Sequence, residues 1–228
     1  MTEPRLLSEV ADADWVGARL RPPPHAWGRV DSVVPTGFDV VVRVFHPAGD
    51  RTWAQVAAAT GRTMHPLAQW CGIEPHFTGG RTGDLDPEEG SVPRGTLEAI
   101  LDHCPAEGEV TYAVWAGFGS WQLAAEPPTV RVGRECYLFA APKAPLVSWP
   151  GMVATWEQSA NVIWPADRSW CIATEIDWDS TLVAGSRTVA DAILGDPRLE
   201  AYEVGYEDDL SWLGDTVNPR PGWLPLPD

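Results

Sequence analysis

Between Trp164 and Thr181 three carboxylates, Glu175, Asp177 and Asp179, recur at every second position. On an extended backbone alternate residues point to the same side. That spacing would aim the three together, as a hard cation such as Mg²⁺ or Ca²⁺ or an acid–base pair requires. Asp177-Trp-Asp-Ser180 resembles the opening of a calcium loop, but the glycine and distal glutamate of that loop are missing. The plainer reading is a solvated strand end and turn, in which Asp179 or Ser180 bonds nearby backbone. Upstream, Asp167-Arg168 could clamp a carboxylate or phosphate through the planar guanidinium; equally, Arg168 could pair with Glu175 or another acid across strands. His46 and His65, each followed by proline, sit on turns where a general base could work. Beside Cys71 or Cys171 either could form a Cys/His nucleophilic pair; the alternative is isolated surface or core histidines, and there is no HExxH pattern. The candidates are therefore Glu175, Asp177, His46 and His65 for catalysis, Glu175, Asp177 and Asp179 for a metal, and Asp167, Arg168, Trp178 and Asp179 for a ligand or partner.

Positioning these groups requires 168–177 to be a strand, with Trp170, Ile172, Thr174 and Ile176 on one face and Cys171, Ala173, Glu175 and Asp177 on the other. Its neighbours follow from local signals. Phe38 to Phe45 reads as a central strand, since Val40, Val42 and Val44 face one way while Val41 and Phe45 cover the other. Thr52 and Gln55 form a capping box for a helix that stops at Gly61. Ser91 and Pro93 open a second helix through Leu97, Ile100, Leu101 and Cys104, and Ser186 a third through Val189, Ile193 and Leu194. Leu6, Leu7, Val10 and Trp15 fit a short amphipathic helix in the lead-in. Strands are expected at 109–118, 129–132, 133–141, 161–164, 181–183 and 199–204. Residues 62–90 read as a long irregular loop with a short helix near 67–71. Strands that do not alternate with helices give an α+β fold: a mostly antiparallel sheet with about three short helices packed on it. The expected boundaries are a lead-in at 1–36, one α+β domain at 37–205, and an irregular acidic, proline-rich tail at 206–228.

Composition narrows the function classes. The 228 residues carry 32 acids against 16 lysines and arginines, a net charge of −16. That field repels phosphate backbones and anionic membranes, which argues against nucleic-acid and membrane partners. It permits basic protein partners, cations or simple solubility; with the loop tryptophans, the partner expected is a basic or aromatic protein. Thirteen tryptophans exceed ordinary usage, and those in turns or proline-rich segments, Trp149, Trp156, Trp178 and Trp223, are where exposure is expected. The four cysteines are spread about 30 residues apart without a CxxC pair, which points to buried thiols in a reducing, cytoplasmic setting. The first 20 residues lack a signal peptide's pattern, and no apolar run nears the ~20 residues of a membrane span.

The stretch Trp164-Pro-Ala-Asp-Arg-Ser-Trp-Cys-Ile-Ala-Thr-Glu-Ile-Asp-Trp-Asp-Ser-Thr181 also resembles the signature of a family of uncharacterised proteins from high-GC Gram-positive (actinobacterial) bacteria. Arg43 to Pro47, Trp53 to Ala57, Glu89 to Val92, Val114 to Gly119 and Asp196 to Ala201 are similar to further pieces of that family's pattern. Ala184 departs from it, standing where the pattern has glycine. The resemblance implies kinship over about residues 38–204 and no activity.

These readings lead to a non-enzymatic protein-binding module with an acidic surface and no cofactor. The alternative is a hydrolase or metal-binding enzyme built on Glu175, Asp177 and Asp179. Convergence of the carboxylates with a histidine in a concave pocket would favour the enzyme.

Overall fold

Fourteen regular elements follow one another along the chain in a computed structural model that describes residues 3–22, 28–76, 85–123 and 127–222. They are β1 (Arg5–Leu6), α1 (Asp14–Ala18), β2 (Val40–Phe45), α2 (Trp53–Thr60), α3 (Trp70–Ile73), α4 (Arg94–Asp102), β3 (Glu109–Trp115), β4 (Val130–Val132), β5 (Arg134–Pro142), β6 (Val162–Pro165), β7 (Cys171–Ala173), β8 (Ser180–Gly185), α5 (Arg187–Leu194) and β9 (Glu200–Val204). The strands form one sheet in the order β1-β5-β3-β6-β7-β8-β2-β9, with β4 also on β5. Its pairings are antiparallel. The α+β class holds, with five α-helices where about three were expected; α1 and α3 are single turns that only packing can sustain.

Both faces of the sheet are buried, as the sequence of β2 requires. Val40, Val42 and Val44 join Leu97, Ile100 and Leu101 of α4, Val189 and Ile193 of α5, and Trp149. Val41 points the other way, into a second core. There it meets Ala13, Trp15 and Val16, Val30 and Val34, and Leu210. A third cluster forms beyond the end of β2, where Phe45 packs on Trp53 of α2 and near Trp70 of α3. The segments on either side of 37–205 thus help to cover the sheet, and Asn218 is buried as well.

Local signals held where they were self-contained. Thr52 Oγ1 accepts from Gln55 N–H, Gln55 reaches back to Thr52 N–H, and Gly61 takes the left-handed conformation at φ 69°. Ser186 likewise caps α5. Three expectations need correction. Leu6 belongs to a strand paired with Phe139, and the helix near Trp15 begins only at Asp14. Ser91 is not a cap, because its hydroxyl accepts from Ser159 N–H while α4 starts after Pro93. The strand expected over 168–177 is three residues long. Register limits it: β7 pairs two residues with β6 and three with β8 before the chain turns at Glu175–Trp178 to start β8 at Ser180. Alternation holds inside the short strand, with Trp170 and Ile172 in the first core and Cys171 and Ala173 in the second. No helix among the described residues is long and apolar enough to cross a membrane.

Candidate functional site

The turn after β7 divides the three carboxylates. Glu175 and Asp177 meet Arg134 at the start of β5: Nε and Nη2 of Arg134 both donate to Glu175 Oε1, and Asp177 Oδ2 lies 3.5 Å from Nη2. Arg134 also lies 5.2 Å from the centre of the Trp115 ring. Beside this corner is a cavity of about 20 Å³ reached by Ser32, Cys136, Asn161 and Thr174, room for about one water molecule. Sequence reasoning missed Arg134, and nothing short of the register between distant strands could have found it. Arg168 does not take the role of pairing with Glu175.

Asp179 faces the opposite way along the turn, towards Arg43. That arginine is fully buried in β2. Its Nε donates to Ser180 Oγ (2.9 Å), its Nη1 to the carbonyls of Pro66 (3.1 Å) and Ala68 (2.8 Å), and its Nη2 stands 3.7 Å from Asp179 Oδ1. The guanidinium also covers the Phe45 ring at 4.3 Å. Burial lowers the Arg43 pKa to about 10 against the pull of Asp179 and Asp215. Burial raises Asp179 to about 6, with Arg43 opposing. A charge set among Val41, Val42, Val44 and Phe45 was the available sequence signal, since a buried guanidinium must find acceptors.

His46 lies on the other side of β2 and is also fully buried. Its Nδ1 is 2.6 Å from the Glu88 carbonyl and its Nε2 2.8 Å from Thr181 Oγ1, which in turn is 2.9 Å from Thr174 Oγ1. A carbonyl only accepts, so Nδ1 carries the proton and the neutral ring accepts from Thr181 at Nε2. Thr174 then donates to Thr181. Burial, helped by the charge of Arg43, lowers the His46 pKa to about 4 despite the Glu88 hydrogen bond. Both nitrogens are committed, so the ring is a structural link and the carboxylates on the turn are not its partners.

His65 belongs to a separate group. Its Nε2 donates to Asp215 Oδ1 at 2.9 Å, and its Nδ1 accepts from Leu67 N–H. Asp215 also receives Gln69 N–H, Val217 N–H, and Asn218 through backbone and side chain. Burial alone would raise its pKa, but the hydrogen bonds from Asn218, Val217 and His65 outweigh it and leave a net lowering. Cys71 lies near this group, and burial together with Asp179 and Asp215 pushes its thiol up to about 11. Burial raises the Cys171 thiol further. Thiolate chemistry needs the opposite shift, so neither cysteine is set up as the nucleophile of a Cys/His pair. Among the described residues no group of three His, Cys, Asp or Glu side chains is placed to hold a metal ion.

Comparison with protein-family models, curated proteins and solved structures finds no match. The chemistry of this chain therefore rests on its own geometry.

The remaining positions are at the surface. Asp167 Oδ1 accepts from the backbone and hydroxyl of Ser169. Arg168 is exposed over Trp15 at 5.3 Å. Trp178 packs partly buried against the second core. Trp149 is buried, with Nε1 donating to the Gln158 carbonyl, whereas Trp156 is 55% exposed. Trp223 and the Gly79–Gly83 run lie outside the described residues. Sequence reasoning overlooked Trp212, Leu213 and Val217, which are 44%, 37% and 58% exposed within six residues.

Proposed function

We propose that this chain is a non-enzymatic protein-binding module whose docking surface is the apolar tip at Trp212, Leu213 and Val217, set in an acidic surround. The carrying observation is that this loop keeps three apolar side chains partly exposed while its backbone is pinned. Ser211 N–H donates to Asp209, Leu213 N–H to Ser211 Oγ, and Val217 and Asn218 N–H to Asp215. Asn218 is anchored to Thr63 through both its amide groups. Gly214 packs so tightly that an added Cβ would lie 1.9 Å from the Asp209 carbonyl oxygen. A loop fixed in this way loses little entropy on binding, and three exposed apolar side chains within six residues give a partner apolar surface to bury.

Charge selects the partner. Glu207 has 83% of its side chain exposed, Asp208 and Asp209 follow it, and the chain as a whole carries −16. The occupant is a basic protein segment bearing an aromatic or aliphatic anchor. Four free, buried cysteines support action in a reducing cytoplasm. Glu175 and Asp177 are already answered by Arg134, and Asp179 by Arg43, which is why these carboxylates serve as structural charges in this reading.

Selection of random displayed peptides on the full chain tests the proposal. Enriched peptides should carry arginine or lysine beside an aromatic or aliphatic anchor residue. Trp212→Ala should weaken them at least about tenfold, the loss of one hot-spot side chain, while the variant still unfolds cooperatively. Peptides without that composition, or equal binding to Trp212→Ala, would remove the proposal.

A further inference from the structure

Arg168 is the one described non-glycine residue with a positive φ, 56°. For an arginine that conformation is strained, and retained strain points to a job for the side chain it places. Arg168 N–H closes the turn onto the Pro165 carbonyl, and the guanidinium lies 5.3 Å from the centre of the Trp15 ring. Arg19 lies over the same ring at 5.5 Å. Trp15 itself is 9% exposed and held edge-on by Phe38 and Trp164. The indole is thus a fixed platform for two exposed cations.

Neither arginine has a carboxylate within ion-pair distance among the described residues, although acids outnumber bases two to one and arginines elsewhere in the chain do take them. Arg168 Nη2 makes only a long contact, 3.4 Å, to the Asp12 backbone carbonyl. A guanidinium laid on a ring keeps its edge N–H groups free for an in-plane, bidentate oxyanion. Asp12, Asp14 and Asp167 are exposed next to these residues, so the charge around the pair is net negative and disfavours a dianion more than a monoanion. We propose that Arg19 and Arg168, mounted on Trp15, form a binding site for a singly charged carboxylate. The site is separate from the apolar tip and stands whether or not that docking surface does.

The test is a titration of the ¹⁵N-labelled full chain with sodium acetate, with chloride at matched ionic strength as the control. The Trp15 indole N–H reports, because it has no internal hydrogen-bond partner among the described residues. A saturable acetate shift, absent with chloride and weaker with inorganic phosphate, is expected. Two variants guard against misfolding. Arg168→Gly relieves the left-handed strain and should melt no lower than wild type, yet lose most of the shift; Arg19→Gln should lose it in part. A linear or chloride-like response, a stronger response to phosphate, or an undiminished shift in Arg168→Gly would overturn the proposal.

Discussion

Arg43 shows what one buried charge does to its surroundings. It holds the 66–68 segment to the sheet through two carbonyls, fixes Ser180, and is the counter-charge of Asp179. Arg43→Leu leaves that carboxylate and the acceptors without their donor, so it should cost about 3–5 kcal/mol in urea unfolding. Adding Asp179→Leu should recover part of the loss, because the stranded charge is gone; an additive double variant would show that the two do not interact. Asp179 and His46 also make opposed pH contributions. Asp179, raised from 3.8 to about 6, keeps a proton in the folded state that the unfolded chain has released, so its contribution falls as pH rises through that window. His46, lowered from 6.5 to about 4, stays neutral when folded while the unfolded chain protonates, so its contribution is lost as pH falls through nearly the same window. Against Asp179→Asn, wild type should lose on the order of 3 kcal/mol as pH rises from 4 to 6; against His46→Gln it should gain a similar amount over about 4 to 6.5. Parallel pH profiles of wild type and variant in urea unfolding would refute the corresponding claim.

At the scale of elements, sequence reasoning reached as far as its signals were local. The Thr52–Gln55 capping box and Gly61 lie within ten residues of one another, and α2 begins and ends where they say. The same helix has a second cap that no local pattern shows. Glu200, at the start of β9, accepts from Trp53 N–H at 2.6 Å and Ala54 N–H at 2.8 Å. These are orphan donors of the first turn, and the carboxylate also sits at the positive end of the helix. Thr52→Ala should cost about 1 kcal/mol. Glu200→Ala, which strands two donors at once, should cost about 1–3 kcal/mol by urea unfolding, and a loss below that of Thr52→Ala would show that solvent replaces the carboxylate freely. The candidate carboxylates were misplaced for a related reason. Alternation aims residues together only while the backbone is extended, and partner strands decide where extension stops. Within 170–173 the pattern was right; from Glu175 onward a turn replaces the strand, and Arg134 and Arg43, 41 and 136 residues away, decide where each carboxylate goes.

At the scale of the whole molecule, proline and short periodicity made residues 1–36 read as a lead-in to a domain that begins at 37. The second core shows what that reading lacked. One face of the sheet can be apolar only if something covers it, and Ala13, Trp15, Val16, Val30 and Val34 are that cover, each buried. Burying one large apolar side chain is worth about 1.5–3 kcal/mol. Trp15, Val16, Val30 and Val34 together therefore amount to something comparable with the net stability of a typical domain, about 5–15 kcal/mol. Arg21 and Arg29 add a hinge of charge, since both hold the buried Asp31 while reaching Glu207 on the other terminal segment. Removal of residues 1–36 should strip β2, β8 and β6 of their cover on one face. The shortened chain should then lose near-ultraviolet circular dichroism, bind a hydrophobic dye and show no cooperative urea transition. A truncated chain that unfolds cooperatively within about 2 kcal/mol of the full one would mean that α4, α5 and the first core carry the fold alone. Because Ala13, Trp15, Val16, Val30 and Val34 lie on the face opposite α4 and α5, and Leu6 is the segment's contribution to the first core among the described residues, its loss would leave most of that core's contacts in place. A compact state with native-like strands and fluid packing is the expected product, not a random coil.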